Sequence, residues 1–289
     1  MRLERIQRRL SVVLAALVLA GCSSTGAPDL SKMSFSEEPL IGKFVWYDLM
    51  TDDGDAARQF YGGLFGWTFE TTTGPRGGEY VLVRDDGVYI AGIVTRPDPP
   101  DGTEFSRWLP YVSVVDVDSS AERAHSAGGE VVVGPLDVAL GRVAAIVDPE
   151  GAALGLARSS IGDPDDATTL AAPGRVVWTE LLANDDSGAA AFYEAVVGFT
   201  ARTVERRGGL YTLLSVGGVD RAGVLRNPTD WQPQWLTSFG VEDPAAAAER
   251  AAALGGTVLL EPTPEVREGT MALVTDPSGA VLALQKTTS

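Results

Sequence analysis

The feature that most constrains this chain is a duplication. Gly42-Lys43-Phe44-Val45-Trp46-Tyr47-Asp48-Leu49 is matched by Gly174-Arg175-Val176-Val177-Trp178-Thr179-Glu180-Leu181, and both runs lead through an Asp-Asp pair to Phe60-Tyr61 or Phe192-Tyr193. Tyr80-Val81-Leu82 pairs with Tyr211-Thr212-Leu213, Ala91-Gly92-Ile93 with Ala222-Gly223-Val224, and Trp108-Leu109 with Trp235-Leu236. Ala121-Glu122-Arg123-Ala124 recurs as Ala248-Glu249-Arg250-Ala251, and Asp148-Pro149-Glu150-Gly151 as Asp276-Pro277-Ser278-Gly279. A spacing held at about 130 residues through so many landmarks means one structural unit used twice. The reading divides the chain into residues 1–21, 22–40, 41–158, 159–173 and 174–289: a leader, a polar tether, a first module, a linker and a second module.

Within each copy the pattern runs strand, helix, three strands, and then again strand, helix, strands. Phe44 to Met50 is an apolar run bounded by turn formers, and Asp53 stands where an N-cap belongs. Ala56, Ala57, Phe60, Tyr61 and Leu64 then follow at helical spacing. Glu79–Arg84, Gly87–Val94 and Pro110–Val115 are Val-, Ile- and Tyr-rich segments separated by Asp-Asp-Gly or Pro clusters, as strands joined by turns. Ser119–Ala127 is helical and Gly128-Gly129 ends it. Strands follow at Glu130–Val133, Val143–Asp148 and Ala152–Ala157, the last two joined by the Asp-Pro-x-Gly turn. The expected class is α+β, with each module built of two βαβββ units in a curled open sheet whose concave face must be filled.

Ahead of the modules, Arg2, Arg5, Arg8 and Arg9 precede an apolar run from Leu10 to Ala20 that has the length of an export signal and is too short for a bilayer span. It closes in Leu19-Ala20-Gly21-Cys22, which resembles a bacterial lipobox, so Cys22 is the expected lipid-attachment residue and the first residue after cleavage. Removing four arginines and Glu4 with the leader takes the formal charge from −16 to about −19. Acidity of that size excludes a phosphate-backbone partner, because such binding depends on Lys and Arg releasing counterions. Cys22 is the only cysteine, so neither an internal disulfide nor a catalytic thiol is available to an anchored protein. The expected location is the cell envelope, facing the periplasm or the outside.

The element order, the Phe-Tyr-x4-Gly-Phe/Trp helix endings (Gly66-Trp67 and Gly198-Phe199) and the repeated Asp-Pro-x-Gly turn resemble the glyoxalase/bleomycin-resistance/extradiol-dioxygenase (vicinal oxygen chelate) superfamily. The resemblance covers residues 42 to 287, and the Val-Trp-x-[Asp/Glu]-Leu openings are similar to a two-module, hydroxylase-like branch. It implies a divalent metal on the concave face, held by His, His and Glu. The matching positions carry Trp46 and Trp178, Leu109 and Leu236, and Gly155 and Ala283, none of which offers a donor suited to such a metal. No metal and no cofactor are therefore expected. His125, the single histidine, falls on a helix and reads as a surface residue.

Side chains alternate along a strand, so Asp48 shares a face with Trp46, and Glu180 with Trp178. Trp46, Asp48, Trp108, Trp178, Glu180 and Trp235 are the expected ligand-binding residues, with Trp108 and Trp235 placed just ahead of their strands. Asp48 and Glu180, if brought together at a pseudo-twofold axis, would raise one another's pKa and serve as acid and base. Otherwise each carboxylate is held by Tyr, Trp or backbone donors. Arg76 and Arg207 sit in matching turns where an anionic ligand is within reach. Three functions stay open: small-molecule binding without a metal; an enzyme, hydroxylase-like or lyase-like, using Asp48 and Glu180; and an envelope interaction protein with a filled cleft. The modules pair within one chain or across a homodimer.

Overall fold

The computed structural model describes residues 29–74, 77–97, 106–166, 172–206, 209–228 and 231–287. The leader, Cys22, Arg76 and Arg207 lie outside them. Each module forms one eight-stranded mixed sheet. The first contains β1 (Phe44–Thr51), α1 (Gly54–Phe65), β2 (Thr68–Thr73), β3 (Glu79–Asp85) and β4 (Val88–Thr95). It continues with β5 (Arg107–Ser113), α2 (Val117–Ser126), β6 (Glu130–Val138), β7 (Gly141–Val147) and β8 (Ala153–Ser159). The second repeats this with β9 (Val176–Ala183), α3 (Asp186–Val197), β10 (Thr200–Arg206), β11 (Gly209–Val216) and β12 (Val219–Arg226). It ends in β13 (Gln234–Val241), α4 (Pro244–Ala253), β14 (Thr257–Leu260), β15 (Met271–Thr275) and β16 (Val281–Lys286).

The strand orders are β2-β3-β4-β1-β5-β8-β7-β6 and β10-β11-β12-β9-β13-β16-β15-β14, identical in the two copies. Each βαβββ unit closes by parallel pairing of its first and last strands, β1 with β4 and β5 with β8, and β1 meets β5 antiparallel at the sheet centre. The architecture is the α+β tandem of open, curled sheets that the sequence leads one to expect.

Local chemistry sets the helices. Asp53 accepts from the backbone N–H of Asp55 and Ala56, and Asp185 from that of Gly188, which satisfies donors that a helix start leaves unpaired. Gly66 and Gly198 end α1 and α3 at φ of 76° and 91°, a left-handed geometry that glycine adopts without strain.

The helices of both modules share one core. Phe60 packs against Gly256 and Phe192 against Gly129, where a Cβ would fall within 3 Å of the ring, so these glycines let the two modules close on each other. The Tyr61 hydroxyl donates to Asp276 at 3.2 Å and accepts from the Trp108 indole at 3.0 Å; Tyr193 donates to Asp148 at 3.1 Å and accepts from Trp235 at 3.0 Å. The Phe-Tyr and Asp-Pro-x-Gly signatures are thus two ends of one contact, made reciprocally between modules. Burial pushes the Asp276 carboxyl up to about 6 and raises that of Asp148.

Several boundaries differ from the sequence reading, and three of them bear on the site. β5 begins at Arg107 rather than Pro110, so Trp108 lies inside the strand, as does Trp235 in β13. Proline is tolerated at the margin of a ladder, and β8 joins β5 only from Tyr111 onward. β8 runs to Ser159, into the expected linker. Part of the expected tether is docked on the first module: Leu30 and Met33 pack on its concave face, and Phe35 bridges to Pro164.

Candidate functional site

Strand register sorts the six predicted binding residues onto two faces. In β1, Tyr47 and Leu49 enter the shared helical core, whereas Trp46 and Met50 join the cluster on the concave face, and Asp48 between them points the same way. Trp108 sits opposite Leu49 and Leu109 opposite Asp48. Trp108 and Trp235 therefore face the inter-module core, where their N–H groups are taken by Tyr61 and Tyr193, and they do not join Trp46 and Trp178 around a cleft. The placement of these tryptophans in a ligand site is corrected on that ground.

Asp48 and Glu180 do not approach each other. β1 and β9 do come close, but through Tyr47 and Thr179, whose hydroxyls lie 2.9 Å apart on the core side. The carboxylates point to the opposite faces of their strands and belong to separate clusters. A shared acid–base pair at a pseudo-twofold axis is not what the fold builds.

Each concave face instead carries its own polar cluster on an apolar floor. In the first module, Asp48 is fully buried. Its Oδ1 accepts from the Tyr80 hydroxyl at 2.7 Å and from the Trp46 indole at 2.9 Å, and that indole also donates to Tyr80 at 3.0 Å. Tyr111 stands beside it; neither its hydroxyl nor Asp48 Oδ2 completes a hydrogen bond, although the two groups are close enough to influence one another. Burial pushes the Asp48 carboxyl up to about 6, opposed by the donors Tyr80 and Trp46 and by the nearby Tyr111 hydroxyl. The same burial, with the Asp48 charge nearby, holds the Tyr80 and Tyr111 phenols above their usual range. Two glycines make this possible. A Cβ on Gly92 would lie 1.6 Å from the Tyr80 hydroxyl oxygen, and one on Gly155 would lie 1.9 Å from the Tyr111 ring.

The second module answers with a different chemistry. Glu180, also buried, accepts from Tyr211 at 2.8 Å and from Arg267 Nη2 at 2.5 Å to each carboxylate oxygen. The Trp178 indole donates to Tyr211 at 2.7 Å, and the Arg206 guanidinium lies 4.0 Å from the Tyr211 ring centroid. Arg267 comes from the link between β14 and β15, where it and Glu268 have φ of 46° and 58°. By repeat position the first module has Ala139 there. Ser238 stands where the first module has Tyr111.

These faces differ in space as well as charge. An apolar cavity of about 120 Å³ lies over the first module's cluster, lined by Trp46, Leu82, Tyr89, Tyr111, Val143 and Ala157, with Leu30, Met33 and Phe35 forming its outer wall. A second cavity, of about 230 Å³, lies beside it between the modules, against Phe44, Tyr47, Ile90, Val176 and Phe239. His125 is exposed on α2. Sequence reasoning missed Tyr80, Tyr111, Tyr211 and Arg267. The first and third were visible as repeat-matched tyrosines on alternating strands, whereas Arg267 has no counterpart that marks it.

Neither face presents the donor set that the resemblance implies for a metal. At the three metal-ligand positions the first module offers an indole already donating to Asp48 and Tyr80, a leucine, and a glycine roofed by the Tyr111 ring. In the second module the carboxylate of Glu180 is engaged by a guanidinium. Among the described residues no three His, Cys, Asp or Glu side chains gather as a ligand set.

A duplicated βαβββ fold with two concave faces, each centred on an aromatic–carboxylate–phenol cluster, is the class that fold and site define. The chain belongs to the Glyoxalase/Bleomycin resistance protein/Dioxygenase superfamily, whose model matches residues 43–156 and 175–284. Among its relatives, a putative glyoxylase, CFP32, of Mycobacterium tuberculosis (strain CDC 1551 / Oshkosh) is 37% identical over 249 residues, covering 83% of this chain and 93% of that protein. The anthracycline biosynthesis protein DnrV of Streptomyces peucetius is 33% identical over 253 residues, covering 83% and 91%. The fold is similar to that of the Mn(II)-bound glyoxalase from Novosphingobium aromaticivorans, with TM-score 0.58, 16% identity, and 86% and 83% of the two chains covered. It is also similar to that of the 2,3-dioxygenase LapB from Pseudomonas sp. KL28, with TM-score 0.57, 15% identity, and 85% and 92% covered.

Proposed function

We propose that this protein is a lipid-anchored, glyoxalase-like binding protein that takes a small apolar molecule on the concave face of its first module without a metal. The observation that carries the reading is the pairing of an apolar cavity with a buried carboxylate–phenol–indole cluster where the superfamily's metal donors would stand. The second module's equivalent carboxylate is neutralised internally by Arg267, which makes that face a structural support. The lipobox-like Leu19-Ala20-Gly21-Cys22 supports the anchor, with the folded part in the periplasm or outside the cell. Of the predicted residues, Trp46 and Asp48 belong to this site, with Tyr80 and Tyr111 added. Binding of an apolar fluorophore, followed by quenching of Trp46, tests it: the affinity is unchanged by EDTA or added divalent ions, and a metal-dependent affinity refutes it.

One observation favours a catalytic second reading. A carboxyl with its pKa pushed up to about 6, and one oxygen without a partner, is poised for proton transfer near neutral pH. On that reading Asp48 accepts a proton from the bound molecule and Tyr111 supplies a hydrogen bond. Turnover of candidate carbonyl substrates that disappears in Asp48→Asn, with binding retained, supports it; retained turnover removes it.

A further inference from the structure

The outer side of the first cavity is closed by a segment of the chain's own N-terminal region. Met33 belongs to a strap, residues 29–36, that lies before the superfamily-matched region, which starts at residue 43. The strap lays Leu30, Met33 and Phe35 against the outer side of the first cavity, each half-buried. Its attachments are mostly to the segment that follows β8. Ser34 Oγ donates to Asp165 at 2.5 Å, Ser36 N to the Asp163 carbonyl at 2.8 Å, and Phe35 bridges to Pro164. Lys32 Nζ donates to the Asp86 carbonyl at 3.1 Å. No strand of either sheet includes it.

We infer that the strap is a displaceable self-occupant, and that lifting it opens the first cavity into a groove for an aromatic apolar molecule. The class follows from what the strap now presents there, a leucine, a methionine and a phenylalanine, and from the aromatic wall of Trp46, Tyr89 and Tyr111. This rests on the reading of the first module's concave face as a binding site and adds its regulation. Because the strap continues into the expected membrane tether, occupancy of the groove and the reach of the tether are coupled. A ligand competing with a closed strap binds with an affinity reduced by the fraction of open protein.

The test uses the folded chain from residue 22 onward, with Cys22→Ser, and N-phenyl-1-naphthylamine as the neutral probe, read by fluorescence. Leu30→Ser/Met33→Ser/Phe35→Ser should bind it at least tenfold more tightly than the unaltered strap. Phe35→Cys/Pro164→Cys, oxidised to lock the strap, should bind at least tenfold more weakly and recover on reduction. Val45→Trp, which adds bulk at the wall of the first cavity, should abolish binding in the open form. Equal affinities for the open, unaltered and locked forms overturn the strap's role while leaving the binding site intact. Tight binding that Val45→Trp does not affect places the probe elsewhere and overturns the groove. No binding even with the strap opened overturns both the groove and the binding function.

Discussion

The two concave faces start from nearly the same sequence and end in opposite electrostatic states. Trp-x-Asp-Leu in β1 and Trp-x-Glu-Leu in β9 place an indole and a carboxylate on equivalent strands, each beneath a tyrosine from the equivalent next-but-one strand, β3 or β11. In the first module the carboxylate is buried with neutral donors alone, and its proton affinity rises. In the second, Arg267 supplies a positive charge to Glu180. Burial of a charge is costly unless a partner and hydrogen bonds offset it, so the second face is closed by its own ion pair and the first keeps a group whose charge is available for use. The difference traces to a single connection: the β14–β15 link carries Arg267, and the β6–β7 hairpin has Ala139 at the matching place. Duplicated scaffolds diverge most cheaply in such loops, where a new side chain reaches the site without disturbing a strand.

The contrast is broken most severely by removing the cation. Arg267→Ala strands a buried carboxylate and should destabilise the protein by about 3–5 kcal/mol in urea denaturation, whereas Arg267→Met combined with Glu180→Leu should recover most of that loss. A loss below about 1 kcal/mol for the single variant would mean the pair is solvated and the second face open. The junction between modules should respond symmetrically, because Tyr61 and Tyr193 play the same part. Tyr61→Phe and Tyr193→Phe each leave an indole N–H and one carboxylate oxygen, Oδ2 of Asp276 or Asp148, without a partner, at a cost of about 2–3 kcal/mol. Being in separate contacts, they should add in the double variant. Unequal costs would show that the reciprocity is only geometric.

The first face can be sharpened through pH. The Asp48 carboxyl rises from the ordinary carboxylate range to about 6 on folding. The native state therefore holds this proton more tightly than the unfolded chain, so the group's contribution is most favourable in acid and declines as pH rises from about 4 through about 6. Asp48→Asn should match the parent near pH 4 and exceed it in stability by about 3 kcal/mol at pH 8. Identical pH profiles for the two proteins would show that Asp48 is not desolvated. The smallest expected effect is on the second face: Arg206→Gln should lose only about 0.5–1 kcal/mol, the worth of a partly exposed guanidinium over the Tyr211 ring.

Much of this was legible in the residues. The repeat fixes two modules, and the spacing of apolar positions fixes the strand–helix order, because a duplicated pattern doubles every local signal. Alternation along β1 and β9 correctly put Trp46 with Asp48 and Trp178 with Glu180. The same alternation, applied to a strand thought to begin at Pro110, left Trp108 and Trp235 without a face; once β5 starts at Arg107 their register opposite Leu49 and Leu181 sends them to the core. Of the two alternatives for Asp48 and Glu180, the fold builds separate carboxylates held by Tyr and Trp or Arg donors, because it is the neighbouring side chains, Tyr47 and Thr179, that face the approach of their strands. Arg267 and the strap of residues 29–36 carry no periodicity and lie in segments read as connection and tether, so only tertiary packing reveals what they do.

On the proposed function, one face binds without a metal and the other is closed from within. Probe binding to the strap-opened protein, measured for stoichiometry by fluorescence after exhaustive dialysis against EDTA, tests it most directly. The predicted result is one N-phenyl-1-naphthylamine per chain, lost on Val45→Trp and retained on the matching Val177→Trp in the second module. Binding that needs a restored divalent ion, or that is lost on Val177→Trp instead, would contradict it.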